Sequence, residues 1–276
     1  MTPVRVGLCF DHHLLCAPHL TKALTTLDIL LFPELLDGGY AALRRGARPH
    51  HSGDTLLTDV VTTSMTTGAC IVAGSMLFED RRGRTNTTFV YQGGRLIHRY
   101  DKVHLFKPAG DPEYFIPGST ITPFIFDAGE HRLRAGVVIC YDLRFPELTR
   151  SLAQQGIRIL FVPARWPLKR DDAWRTLLKA RAIENQVFVI GCNAPGGEGG
   201  HSYAYDPLGR LIGTTRGRGR SSFVTFTMDL EAIAEAHAMH TNIADALLLT
   251  ERPPLRKLRG NRARRARTSL RKSGGG

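Results

Sequence analysis

Ala135-Gly136-Val137-Val138-Ile139-Cys140-Tyr141-Asp142-Leu143-Arg144-Phe145-Pro146-Glu147 is the stretch on which the fold turns. Its first five residues carry no charge and read as a strand buried on both faces. Cys140 follows, then polar Tyr141-Asp142. Pro146 opens a helical pattern to Gln155, in the first turn, where its missing N–H costs nothing. Strand, turn and helix in that order make an α/β unit, and such proteins gather ligand and catalytic groups at strand ends. Cys140 sits at that end, and the turn can leave the Tyr141 N–H free to donate to an oxyanion. A free cysteine is also often a small buried hydrophobe, which suits Cys9, Cys70 and Cys192 in their apolar strands.

The same alternation extends outward. Val4–Phe10 is predicted as a first strand, Leu14–Leu27 as a helix, and Asp28–Phe32 as a strand ending in Pro33-Glu34. Asp54–Thr67 reads as a helix and Cys70–Leu77 as a strand. Thr87–Gln92 and Arg95–Tyr100 flank Gly93-Gly94, which accept the positive φ of a primed hairpin turn. Val103–Thr120 is a long loop, a kind that is often functional. Ile121–Asp127 pairs with Arg132–Ile139, and Ile157–Val162 is a strand. Asp171/Asp172 are expected to cap a helix to Asn185. Val187–Cys192, Ser202–Tyr205, Arg210–Thr215 and Ser222–Asp229 complete the strands. Alternating strands and helices give an α/β class, and the hairpins make the sheet mixed.

Length and composition set the bounds. The 276 residues suffice for a sizeable core, and the 42% hydrophobic and 22% charged fractions are those of a globular protein. No apolar run approaches the ~18–20 residues needed to cross a bilayer. Met1–Phe10 lacks the pattern of a secretory signal. Five cysteines without close spacing predict free thiols and a cytoplasmic location. The net charge of +12 is unevenly spread: residues 251–276 hold ten Lys/Arg and one Glu, so the other 250 residues carry only +3. A domain over residues 1–250 and a basic, disordered tail over 251–276 are therefore expected. The tail could give weak, salt-sensitive contact with nucleic acid or another polyanion, but it has little aromatic interleaving for base stacking.

Two further residues complement Cys140. Glu34 ends the run Ile29-Leu30-Leu31-Phe32-Pro33, where desolvation raises a carboxylate toward a useful base. It equally fits a first-turn acid of a helix over Glu34–Leu36. Lys102 lies where the strand ending at Tyr100 meets the long loop, a place that also suits a solvated surface charge. Together the three have the makings of a hydrolase. A cation helps a cysteine become thiolate, a donor stabilises an amide oxyanion, and a carboxylate moves the protons.

The motifs Leu31-Phe32-Pro33-Glu34, Tyr100-Asp101-Lys102-Val103-His104-Leu105 and Ile139-Cys140 through Glu147 occur in one order and spacing. In these the chain resembles the nitrilase, or carbon–nitrogen hydrolase, superfamily over roughly Val4 to Asp229. Ala180-Arg181-Ala182-Ile183-Glu184-Asn185 and Gly200-His201-Ser202 look like that family too. The resemblance implies a four-layer α-β-β-α sandwich of two mixed sheets flanked by helices, a homodimer or higher homo-oligomer, and no metal or organic cofactor. It implies Cys140 as nucleophile, Lys102 as oxyanion stabiliser and Glu34 as general base. Cys140 through Glu147, with Trp166-Pro167 ahead of Trp174, look most like the omega-amidase branch, which hydrolyses terminal amides of 2-oxo acids. Hydrolases of N-carbamoyl amines share most of these motifs. A non-catalytic polyanion-binding protein that kept the fold is the reading from another class.

The chain departs from the family in two places. A second acid is expected in the loop after the lysine, and either Asp111 or Glu113 fits. The family's C-terminal dimer segment is not recognisable after His240. Arg144 fits a bidentate grip on a substrate carboxylate, or a brace against Glu147. Trp166, Tyr114 and Phe115 are candidates for pocket walls or for core. His12, His13, His50 and His51 read as surface residues that lack carboxylate neighbours in a ligand pattern. Pro195–Gly200 lacks the Gly-Lys-Ser/Thr of a phosphate loop and reads as a flexible active-site loop.

Overall fold

The computed structural model describes residues 2–11, 24–217 and 223–246. Among these, thirteen strands form two sheets. The first contains Val4–Cys9 (β1), Ile29–Leu31 (β2), Cys70–Val72 (β3), Met76–Asp80 (β4), Gly83–Gln92 (β5) and Arg95–Asp101 (β6). The second contains Phe124–Ala128 (β7), His131–Val137 (β8), Ile159–Ala164 (β9), Phe188–Asn193 (β10), Tyr203–Tyr205 (β11) and Leu211–Thr214 (β12). Phe223–Met228 (β13) returns to the first sheet, antiparallel to β1. The first sheet runs β13-β1-β2-β3-β5-β4, with β6 on β5, and the second β12-β11-β10-β9-β8-β7. Each has a parallel centre, β1-β2-β3 or β8-β9-β10, flanked by antiparallel strands.

The side-chain period of a strand builds the layers. Ile29 and Leu31 join Cys70 and Val72 in a core shared with Phe124, Phe126, Ile159 and Phe161 of the other sheet. Their neighbours Leu30, Phe32, Ile71 and Ala73 face the opposite way, onto Leu56, Leu57 and Val60 of the helix Thr55–Thr67. On the far side of the second sheet, glycines let two helices come close. A Cβ on Gly136 would collide with Leu152 of the helix Pro146–Gln154, and one on Gly191 with Trp174 and Leu178 of the helix Asp171–Asn185. The result is helix, sheet, sheet, helix, the expected four-layer sandwich. The hairpin at Gly93-Gly94 forms with φ of 57° and 77°, as a primed turn requires.

Several local expectations need correction. Cys70–Leu77 is two strands, because the chain turns at Gly74 with φ 63°, packed on the Pro33 carbonyl where a Cβ would not fit. The long loop after Val103 contains a 3-10 turn, Lys107–Ala109, and a short helix, Asp111–Tyr114. Asp171 and Asp172 are first-turn residues without a capping hydrogen bond; Asp171 instead accepts from the Tyr203 hydroxyl at 2.6 Å. His50 is half-buried rather than on the surface, 3.4 Å from Asp37 and 3.2 Å from Asp54. The described residues up to Asp245 belong to one compact unit. The predicted helix Leu14–Leu27 in all but its last turn, His12, His13, and the tail with its boundary after residue 250 lie outside the described residues.

Candidate active site

The site forms where strands from both sheets end. Glu34 follows β2, Lys102 follows β6, Cys140 follows β8 and Arg165 follows β9. Cys140 opens the 3-10 turn Cys140–Arg144 with φ 47°. That left-handed conformation is costly for a residue with a side chain and persists only where its surroundings enforce it. Asp142 provides the enforcement. Its Oδ2 accepts from the Ile139 N–H at 3.1 Å and the Tyr100 hydroxyl at 2.8 Å, and its Oδ1 accepts from the His104 N–H at 2.8 Å. One buried carboxylate thus ties the cysteine turn to the chain on both sides of Lys102. The His104 ring stacks on Phe145 at 3.5 Å between centroids. Among the described residues the Tyr141 N–H has no acceptor.

Glu34 is not in a helix. Leu35 has φ 47°, and the Leu35 N–H donates to the Ser75 hydroxyl at 3.0 Å. The Glu34 side chain is fully buried and every oxygen is used. Oε1 accepts from Lys102 Nζ at 2.8 Å and Asn86 Nδ2 at 3.0 Å, and Oε2 from the Arg165 N–H at 3.0 Å. Lys102 is fully buried as well, and its Nζ also donates to Asp111 Oδ2 at 2.8 Å. Asp111 is buried, and its Oδ2 takes the Phe106 N–H at 2.9 Å. The surface-charge reading of Lys102 is therefore excluded. Of the two candidates for the second acid, the structure brings Asp111 to Lys102 and leaves Glu113 exposed.

The electrostatics follow from burial. Burial and the Glu34 carboxylate push the Cys140 thiol well above its usual range, against the pull of Lys102. For Lys102, burial works against the charge, but the Glu34 and Asp111 carboxylates outweigh it and keep the ammonium well above the usual lysine range. Burial and the Glu34 carboxylate thus favour the thiol form of Cys140 beside the ion-paired Glu34, Lys102 and Asp111.

Above the thiol opens a cavity of about 390 Å³. Tyr141, Arg144 and Trp166 line it, as do Tyr40, Phe106 and Arg165. Tyr114 and Phe115 do not: Phe115 is in a small core with Leu35, Tyr40, Leu43 and Leu77, and Tyr114 packs against that core. Arg144 stacks over the Trp166 ring at 4.6 Å rather than bracing Glu147. Arg165, Asn86, Asp142 and Glu198 were missed by sequence reading. Arg165 is one residue past a strand end, the same signal that marked the others; Asn86 and Asp142 gave no local signal.

Comparison with known proteins gives the family. The pattern of the carbon-nitrogen hydrolase family matches residues 14–238. The chain belongs to the carbon–nitrogen hydrolase family. It is 35% identical to the 2-oxoglutaramate amidase of Bacillus subtilis (strain 168) over 75% of this chain and 80% of that one. It is 32% identical to the omega-amidase YafV of Escherichia coli (strain K12), over 70% of this chain and 74% of that one. The crystal structure of XC1258 from Xanthomonas campestris, a CN-hydrolase superfamily protein, superposes with a TM-score of 0.76 at 25% identity, covering 91% of this chain and all of that one. Within the family the chain falls with the omega-amidase branch. It is a cysteine-dependent amide hydrolase acting on non-peptide C–N bonds, and this stands over the carbamoyl and polyanion-binding alternatives. No helix among the described residues is long and apolar enough to cross a membrane.

Proposed function

We propose that the chain is an omega-amidase that hydrolyses the terminal amide of a 2-oxo acid through a thioester on Cys140. The observation that carries the reading is the buried cluster Cys140, Glu34, Lys102 and Asp111 under a pocket walled by guanidinium groups. The substrate amide oxygen sits between Lys102 Nζ and the Tyr141 N–H. The Cys140 thiol passes its proton to Glu34 as sulfur bonds to the carbonyl carbon, and the oxyanion is held by both donors. Glu34 returns the proton to the leaving nitrogen, ammonia departs, and the thioester remains. Glu34 then takes a proton from water as the hydroxide attacks, and Cys140 leaves and regains its proton. Asp111 holds Lys102 charged and aimed. A high resting thiol pKa is compatible with this route, because the proton moves within a hydrogen bond as attack proceeds.

The 2-oxo acid substrate is supported by the names of the relatives and by the cationic walls, which suit a carboxylate. The test is ammonia release from 2-oxoglutaramate, 2-oxosuccinamate, aliphatic amides, N-carbamoyl amino acids and nitriles. The 2-oxo amides are expected to exceed the rest in kcat/KM, and Cys140→Ala to remove turnover by at least about a thousandfold with unchanged circular dichroism. Turnover confined to carbamoyl substrates or nitriles would overturn the substrate. Ammonia release by Cys140→Ala at the wild-type rate would overturn the mechanism.

A further inference from the structure

The pocket walls carry five cationic side chains, Arg44, Arg144, Arg165, Lys169 and Arg170, and one acid, Glu198. Two of the guanidinium groups are already engaged. Arg44 donates to Glu198 Oε1 at 2.7 Å. Arg165 gives Nε to the Glu34 carbonyl at 2.8 Å and Nη2 to the Leu35 carbonyl at 2.7 Å, and its Nη1 lies 3.6 Å from Glu198 Oε2. Arg144 and Arg170 differ. Each lies over an aromatic ring, Trp166 and Phe106 respectively. Among the described residues neither forms an ion pair, and the buried Arg170 Nε meets no acceptor.

Glu198 reaches this place by construction. The loop that carries it closes on itself through the Gly200 N–H to the Ala194 carbonyl at 2.9 Å, and is pinned by the Leu168 N–H to the Gly199 carbonyl at 2.9 Å. Glu198 Oε2 accepts from the Tyr40 N–H at 3.0 Å. Gly39, with φ 71°, leaves the space: a Cβ there would collide with both the Glu198 carboxylate and the Arg165 guanidinium. The glycine-rich loop is therefore a wall with one fixed charge.

We propose that Glu198 is a specificity-determining residue. By occupying Arg44 and Arg165, its carboxylate leaves the pocket cations for one substrate carboxylate and disfavours amides that carry two. This rests on the reading of the pocket as an amidase site. A second substrate carboxylate would have to approach Glu198 across a partly desolvated wall, where like charges repel strongly. Replacing Glu198 by a neutral isostere releases Arg44 to meet that second carboxylate.

The test compares kcat/KM for butyramide, succinamate and tricarballylic acid monoamide, which carry zero, one and two carboxylates. Ratios between substrates within one variant cancel any loss of active enzyme. In Glu198→Gln, the ratio of the dicarboxylate to the monocarboxylate amide is expected to rise about tenfold, the scale of one charge-assisted contact. The gain should appear in KM and shrink as salt is raised. Arg44→Gln, which removes one of the two cations that balance Glu198, should move the ratio the other way. An unchanged ratio in Glu198→Gln, with the wild type active, overturns the inference and leaves the amidase reading intact. So does loss of turnover on all three substrates in that variant, the mark of a purely structural residue. A wild type that hydrolyses none of the three, nor any 2-oxo amide, sinks both.

Discussion

The floor and the rim of one pocket obey different rules. Glu34, Lys102 and Asp111 on the floor are fully buried, and each meets an opposite charge at 2.8 Å. Arg144 and Lys169 on the rim are exposed and line the cavity above them. A buried charge must be paired or it destabilises the fold, whereas an exposed one is worth little and is free to serve a ligand. The contrast teaches that the floor is coupled to stability as tightly as to chemistry, while the rim can be altered to change the substrate.

Lys102→Met against Lys169→Met puts the largest strain on this contrast. Loss of Lys102 leaves Glu34 and Asp111 buried together without a cation and should cost about 3–5 kcal/mol in urea unfolding, along with turnover. Lys169→Met should stay within about 0.5 kcal/mol. Equal costs would break the distinction.

The next effect is a titration away from the floor. His98, between the sheets, stacks on Phe124 at 4.9 Å, and its Nε2 is buried without a partner. Burial lowers its pKa from 6.5 to about 4. The folded state therefore holds this proton less well than the unfolded chain. The stability it contributes is present above pH ~6.5 and is lost as pH falls toward 4, by at most about 3 kcal/mol. His98→Phe should flatten the pH dependence of unfolding over that window; an unaltered slope would assign the acid sensitivity elsewhere.

The smallest contrast is between two acids two residues apart. Asp111→Asn keeps the shape but weakens the grip on Lys102, and should cost about 1–3 kcal/mol and reduce kcat more than it raises KM. Glu113→Gln should change stability by less than about 0.5 kcal/mol and leave the kinetics as they were. Matching effects would mean that the loop after Lys102 shifts in solution.

Cys140 and Glu34 were legible as candidates because each ends an apolar run, and Lys102 because it stands where a strand meets the long loop; the motifs around them made the three one candidate site. Spacing alone could not choose between Asp111 and Glu113. That choice depends on the short helix Asp111–Tyr114, which turns the first residue inward and the third out. Tyr114 and Phe115 stayed open between pocket wall and core for the same reason: an aromatic pair gives no sign of which cavity it faces.

The sequence by itself determined the α/β class, through apolar runs of strand length alternating with helical patterns, and a candidate chemistry, through three polar residues in motifs shared with one family. Only the tertiary structure decided that Glu34, Lys102, Asp111 and Cys140 share one water-poor space, that Asp142 enforces the strained turn at Cys140, and that Glu198 returns to the pocket wall from more than 150 residues beyond its partners Tyr40 and Arg44. Periodicity is a property of neighbours along the chain. Pairing of buried charges is a property of neighbours in space, and those are chosen by the crossing of the two sheets.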